Sequence, residues 1–575
     1  MLFRSAAFIQ DVRLPGMLHG RVVRPPRYGS KLVSVDEASV KAMPGVIAVV
    51  RDGSFLGVVA RREEQAINAR QALMAYAKWA DGPLLPSPAK LYDELMALRT
   101  ETRVISEKGE KDAPDPSGAK VLEATFHRPY QAHAAIAPSC ALAEFKDGKL
   151  TVWTHSQGVF PLRGTLAGAL GMPVGNIRCI HAEGAGCYGH NGADDVAFDA
   201  AMLARAAGVN GRPVRLQWMR DDEFKWEPYG AAMTMKVKGA VANGRVVDWA
   251  FDVWSQSHNM RPGDPDGINL LGSWYTADAK KSGPARHSPQ PNGAGDRNAI
   301  TMYDFPRQRT THHLIMEQPL RTSALRTLGA YANVFAIESF MDELAVAAGI
   351  DPVAFRLAHS KDARERAVIE AVAKAANWKP GENVVQQKGA ILRGRGIGYA
   401  RYKTVATYNA VIAEVEVNAR TGVVRVPRIW AAADAGQIIN PDGLANQIEG
   451  GVIQTVGRTL KEQVQWVHER MSAVLDHDPD ATEETQETDD QGNVTKVEIK
   501  KKRRPKLYDS MLEQGIELCG LLRDLNVTND PALEEARRML ESTLVRIDMD
   551  SLKESPELQR STKAAMQSII DKFAL

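Results

Sequence analysis

The chain has 575 residues, 44% hydrophobic and 25% charged, enough for about three or four domains with sizeable cores. Lysine plus arginine total 72 against 70 acidic residues, a formal net charge of +2, which argues against a whole-chain nucleic-acid coat or an acidic mimic. The four cysteines, Cys140, Cys179, Cys187 and Cys519, share no CxxC spacing, against a zinc ribbon, a self-contained iron–sulfur motif or a disulfide scaffold, and no apolar run approaches the ~20 residues of a membrane span.

With no apolar leader after Met1, the sequence reads as a soluble chain that stays in the cytoplasm. His19 to Arg24 has strand composition and stops at Pro25-Pro26. Val46–Val50 and Phe55–Ala60 flank Asp52-Gly53, a hairpin signal, and Glu63 to Trp79 reads as a helix. Further hairpins are expected around Asp147-Gly148 and Asn243-Gly244. Residues 257–299 are rich in Gly, Pro, Asn and Asp without apolar periodicity, a length of irregular chain that is usually functional or mobile. A helix is expected from Asn333 to Ala348, with Gly349 at C′ and Asp351-Pro352 opening the next. Two strands, Tyr408–Val417 and Val423–Trp430, follow. After Trp466 the composition changes: residues 476–490 hold eight carboxylates and Lys500 to Lys506 is a cationic run, so 476–506 reads as a charged, solvated linker. Residues 507–575 read as a separate helical module, with a helix start at Asp530-Pro531.

Three clusters could carry chemistry. Gly184-Ala185-Gly186-Cys187-Tyr188-Gly189-His190-Asn191-Gly192 has four glycines in nine residues and precedes a helical pattern, the arrangement of an anion seat; composition alone leaves a tight structural turn equally open. Arg321 and Arg326 lie near the start of the long helix, where the dipole disfavours cations, so an anion-binding role and a salt-bridged role compete. Asp434 to Pro441 forces a turn, and Gln447 before Gly450-Gly451 could read an amide-like edge, while Glu449 could equally cap its own helix. His312 and His313 would face opposite sides of a strand, which disfavours a shared metal. Glu338, Asp342 and Glu343 are most simply the polar face of their helix.

Together these segments resemble the molybdopterin-binding large subunit of the xanthine dehydrogenase/aldehyde oxidase family, in its isoquinoline 1-oxidoreductase and nicotinate dehydrogenase branch. The resemblance runs from about residue 10 to 466. It rests on Asp11 to His19, His133 to Cys140, Cys187 to Asp195, Ala324 to Ala345, and Asp434 to Gly451. It implies an α/β (α+β) fold. Residues 10–82 would be a hammerhead-like domain, and 120–375 and 385–468 the first part and the incomplete second part of the molybdopterin-binding domain.

The resemblance also implies hydroxylation of an N-heterocycle or aldehyde with oxygen from water. Molybdenum would be held by the pterin, in its cytosine dinucleotide form, and not directly by the protein. Gly184, Gly186, Cys187, Tyr188, Gly189, His190, Arg326, Gln447 and Gly450 would bind the cofactor. Arg326 would also face the substrate or stabilise developing negative charge. Electrons would leave through iron–sulfur clusters on a small two-iron, two-sulfur partner.

The family pattern further includes an N-terminal segment with an export signal and a Glu-Leu-Gly-x-Gly loop, and a late Gly-x-Gly-Glu segment supplying a general base. Neither loop is found here: the Gly-Glu pairs are Gly109-Glu110 and Gly381-Glu382, and neither stands in a Gly-x-Gly-Glu context. The expectation is a truncated, chimeric large subunit, inactive without its base, a loss of roughly 10²–10⁴ in rate. The competing expectation is a cofactor-free remnant whose tail, 471–575, binds protein or nucleic acid. Nucleic acid is not expected to bind residues 1–468.

Overall fold

The computed structural model describes residues 8–110, 116–263, 269–280, 283–381, 384–386, 389–418, 423–475, 482–488 and 494–501. Three sheets carry the architecture. The first has seven strands, ordered Ile177–His181, Lys149–Thr154, Cys140–Lys146, Val214–Gln217, Leu18–Val23, Phe55–Ala60 and Val46–Asp52. Its hairpins form where the sequence places Asp-Gly pairs: Asp147 and Gly148 both take positive φ, as the turn requires. Val214–Gln217 pairs antiparallel with Cys140–Lys146 and parallel with Leu18–Val23. The expected boundary near residue 82 therefore does not divide this sheet. The physical reason is that the Val46–Ala60 hairpin satisfies only one edge of Leu18–Val23, and the other edge takes a strand from the second block. Helix Ala193–Ala204 lies on this sheet almost wholly buried, with Phe198 set edge-on to Phe55.

The second sheet runs Thr100–Lys108, Arg307–Ile315, Arg245–Ser255, Met233–Ala242 and Lys120–Arg128. Helix Ala330–Ala348 packs on it, and the missing side chain of Gly239 admits Phe340, whose ring would meet an added Cβ at 3.0 Å. Phe340 also packs against Trp249, and burial of such a side chain stabilises by about 1.5–3 kcal/mol. The third sheet, Val384–Gln386, Ile391–Arg401, Tyr408–Asn418 and Val424–Asp434, packs against helix Ala363–Ala375 and shares the second sheet's core.

Four expectations need correction. Glu338 is not on a solvated helix face: it is buried against Arg356, Tyr303 and the Tyr399 amide. Residues 257–299 are irregular but largely packed, with Ser257, His258, Leu271, Asp296 and Asn298 buried, because hydrogen bonds rather than periodicity hold them. The composition change after Trp466 is not an element boundary, since one helix runs Pro441–Leu475. The 476–506 stretch includes two strands, Thr482–Thr488 and Val494–Lys501, paired antiparallel, with Glu483 opposite Lys500 in the register. The helical module expected at 507–575 lies outside the described residues. Among the described residues, no helix is long and apolar enough to cross a membrane.

Candidate functional site

The three sequence clusters meet. Ala324 to Arg326 runs antiparallel to Tyr188–His190: Gly189 and Leu325 form a bridge, His190 N–H donates to Ala324 O at 2.7 Å, and Arg326 N–H donates to Tyr188 O at 2.6 Å. Only glycine allows this approach. Gly189 has φ +128°, and a Cβ there would sit 2.0 Å from Ala324 O. Gly186 has φ +100°, and Gly184 lies against the His155 ring, which an added Cβ would meet at 2.6 Å. Tyr188, Thr327 and Leu328 hold positive φ without being glycine, strain that gathers where backbone geometry is over-determined.

The guanidinium of Arg326 reaches the third cluster, donating to Gln447 O at 2.8 Å and to Gln447 Oε1 at 3.2 Å. Gln447 lies inside the Pro441–Leu475 helix rather than before it, and Asn440 caps that helix by accepting from Gly443 N at 2.9 Å. One turn beyond Gln447, Gly450 and Gly451 leave the guanidinium uncovered: added Cβ atoms would touch it at 3.7 and 3.6 Å.

Other expected residues face inward. The His190 ring is buried, with Nδ1 2.8 Å from Ser323 Oγ and Nε2 3.0 Å from Asp194 Oδ2. Burial lowers its pKa against the pull of Asp194. Burial works to raise the Asp194 carboxyl, but the hydrogen bonds from His190 and Ser156 and the nearby charges of His190 and Arg261 together outweigh it, and the net shift is downward. The Cys187 thiol donates to Gly189 O at 3.1 Å, and burial pushes its pKa up.

Two sequence readings are corrected by these contacts. The N-terminus of helix Ala193–Ala204 is not an open anion seat, because Asp194 and Asp195 in its first turn already face the positive end of the dipole. Arg321 is not an anion-binding partner of Arg326: it is fully buried in a two-pronged pair with Asp195. His312 and His313 do point apart, towards Asp296 and Asp252 respectively, and among the described residues no group of three ligands could hold a metal.

Sequence reasoning missed a supporting layer. Glu223 and Glu227, four residues apart, grip both ends of the segment His133–Ser139. Glu227 accepts His133 N–H at 2.7 Å, and Glu223 accepts Ser139 N–H at 3.2 Å and Ser139 Oγ–H at 2.9 Å. Burial, then the neighbouring Glu227, pushes the Glu223 carboxyl up to about 7. The signal available was an i, i+4 carboxylate pair beside Trp226, too common a pattern to single out. Arg128 is buried as well and donates to Leu328 O at 2.7 Å, bracing the strained turn after Arg326.

Comparison with known proteins gives this geometry a class. Two family models, both described as molybdopterin cofactor-binding domain, match residues 98–264 with 279–359, and 321–476. Every loop of the site falls within them. The chain belongs to the xanthine dehydrogenase/aldehyde oxidase family of molybdopterin-binding large subunits. It is 40% identical over 477 residues to one subunit of the nicotinate dehydrogenase of Pseudomonas putida, covering 80% of this chain and 38% of that protein. It is 27% identical over 481 residues to the beta subunit of the isoquinoline 1-oxidoreductase of Brevundimonas diminuta, covering 80% of this chain and 57% of that one. The chain thus spans between about a third and three-fifths of the length of these two curated relatives. Among solved structures, the aldehyde oxidoreductase of Desulfovibrio gigas shares the fold with a TM-score of 0.57 at 15% identity, over 81% of this chain and 69% of that one. The CO dehydrogenase of Oligotropha carboxidovorans does so with 0.57 at 14% identity, over 85% of each chain.

Proposed function

We propose that this chain binds a molybdenum–pterin cofactor where the glycine loop, the arginine loop and the Pro441–Leu475 helix converge, as part of an enzyme hydroxylating an N-heterocycle or aldehyde. The single observation that carries the reading is the contact of Arg326 with Gln447, which brings a guanidinium and a carboxamide from distant segments to one place. The substrate class follows relatives named for nicotinate and isoquinoline and a solved relative named for aldehydes.

The residues present suit such a group. Among the described residues, Asn191 Nδ2 and Thr327 Oγ1 are buried without hydrogen-bond partners, one in each loop. Gly450 and Gly451 leave the Arg326 guanidinium open to an anionic ligand. Arg326 would hold negative charge, phosphate or charge developing on substrate. Gln447 would hydrogen-bond the pterin through its amide. Gly184, Gly186, Cys187, Tyr188 and Gly189 would line the pocket with backbone, and His190 would contribute position only, its ring being spent on Ser323 and Asp194. Bound there, the molybdenum centre would supply two-electron oxidation, with oxygen drawn from water. The cytosine dinucleotide form of the cofactor and a small two-iron, two-sulfur partner that takes the electrons complete the proposal.

The test is expression in a host that makes molybdenum cofactor, followed by elemental analysis and pterin fluorescence of the purified chain. About one molybdenum and one pterin per chain is expected for the wild type, and a strong loss of both for Arg326→Ala. A well-folded chain carrying neither would overturn the reading.

A further inference from the structure

The Ala324 carbonyl is the point on which the glycine and arginine loops meet. It accepts His190 N–H at 2.7 Å and presses against Gly189. A third group reaches it: His133 Nε2 lies 3.2 Å away. The His133 side chain is fully enclosed and is gripped by Glu227 from the other side. Glu227 Oε1 accepts the His133 backbone N–H at 2.7 Å, and Oε2 faces Nδ1 at 3.4 Å. Both partners are without exposed surface. The neighbouring Ala137 N–H donates to Ala185 O at 3.4 Å, so the same segment also touches the start of the glycine loop.

We infer that His133, held by Glu227, is a positioning residue for Arg326, acting through the Ala324 carbonyl. The chain of contacts is short. Glu227 holds the His133 backbone N–H, and Nε2–H donates to Ala324 O. That carbonyl fixes the antiparallel pairing with Tyr188–His190, and the pairing sets Arg326, whose N–H donates to Tyr188 O at 2.6 Å. A carbonyl with two donors in fixed directions has little freedom to rotate, so the Arg326 backbone two residues on is held in one place, from which its guanidinium reaches Gln447. His133 touches no reacting group and supplies no chemistry of its own. The inference rests on the proposed reading in which Arg326 faces the cofactor, but the positioning itself can be measured without any ligand.

Amide hydrogen exchange at Arg326 reads the pairing directly in the full chain. His133→Gln keeps a donor near the Nε2 position, whereas His133→Asn keeps one only near Nδ1. Exchange at Arg326 should stay within about threefold of wild type in H133Q and accelerate by at least about tenfold in H133N, with helix Ala330–Ala348 unchanged in both. Molybdenum retention should follow the same order. Equal exchange in all three proteins would overturn the inference, and so would equal acceleration in both variants. If H133N does not fold, H133Q decides alone: acceleration overturns, wild-type exchange supports. A wild-type chain without molybdenum would sink the cofactor reading and leave the exchange result standing.

Discussion

Arg321 and Asp195 form a two-pronged ion pair with no exposure to solvent, Nη1 to Oδ1 at 2.7 Å and Nη2 to Oδ2 at 2.5 Å. Asp195 Oδ1 also accepts Leu271 N–H, and Arg321 Nη2 donates to Trp226 O at 3.0 Å. Asp195 belongs to helix Ala193–Ala204 after the glycine loop, and Arg321 immediately precedes the short strand Thr322–Ser323 that leads into the arginine loop, so the pair sets the distance between the two loops.

Removing one member leaves a buried charge alone. Arg321→Leu and Asp195→Asn should each destabilise the chain by about 3–5 kcal/mol, and a double replacement by apolar residues should recover part of that loss. Urea denaturation measures it. Single variants within about 0.5 kcal/mol of wild type would mean that water reaches the pair.

How much of this was legible in the sequence differs by residue. The hairpins at Asp147-Gly148 and Asn243-Gly244 and the helix stop at Gly349 were readable because turn chemistry is local. The three site clusters were readable as segments, and their resemblance to a family said that they should meet. Which arginine faces the site was not readable: Arg321 and Arg326 lie five residues apart with the same chemistry, and only the position of Asp195, remote in sequence, separates them. Glu338 misled for the same reason, since its burial depends on Arg356 and on a strand about sixty residues on. Long-range polar partners leave no periodicity to read.

Gly189→Ala should be the most damaging of the glycine-loop substitutions. The position combines φ +128° with a Cβ site 2.0 Å from a backbone oxygen that cannot move aside cheaply. Backbone strain alone costs about 1–3 kcal/mol, and separation of the two loops adds to it. Gly164→Ala is the control. It sits in helix Val159–Leu170 with open space around the added methyl, and should be neutral or stabilise by up to about 1 kcal/mol. Similar losses in both would show that close approach at Gly189 is not what the sequence is built for.

The pH dependence of stability has two limbs with opposite signs. Burial and then Glu227 raise the Glu223 carboxyl from 4.5 to about 7, so its contribution is complete below the unfolded value and is lost as pH climbs through 7. Burial lowers His155 from 6.5 to about 4, so its contribution is complete above 6.5 and is lost as pH falls through 4. Glu223→Gln should remove Glu223's own share of the first limb and leave that of Glu365, which burial also raises to about 7. Between about pH 5 and pH 7 the wild type should lose stability relative to E223Q, by no more than about 1.4 kcal/mol per pH unit. Parallel curves for the two proteins would show that Glu223 is charged throughout.

Glu338 and Asp342 both pair with Arg356, at 2.8 and 2.6 Å, and the structure separates their value sharply. Glu338 is buried and spends both oxygens: Oε1 accepts Tyr303 O–H at 2.9 Å, and Oε2 accepts Arg356 Nε–H and the Tyr399 amide, the latter at 2.9 Å. It therefore joins helix Ala330–Ala348 to the third sheet through one carboxylate. Asp342 is 44% exposed, so water replaces much of what it offers. Glu338→Leu should cost about 3–5 kcal/mol, because Arg356, with no exposed side-chain surface, then keeps a single and partly solvated counter-charge. Asp342→Asn should cost under about 1 kcal/mol. Chemical denaturation of the two variants side by side checks the order. Equal losses would mean that the shorter contact rather than the buried one fastens the helix, and the join between the second and third sheets would then have to rest on apolar packing of Trp249, Phe340 and Ile412 alone.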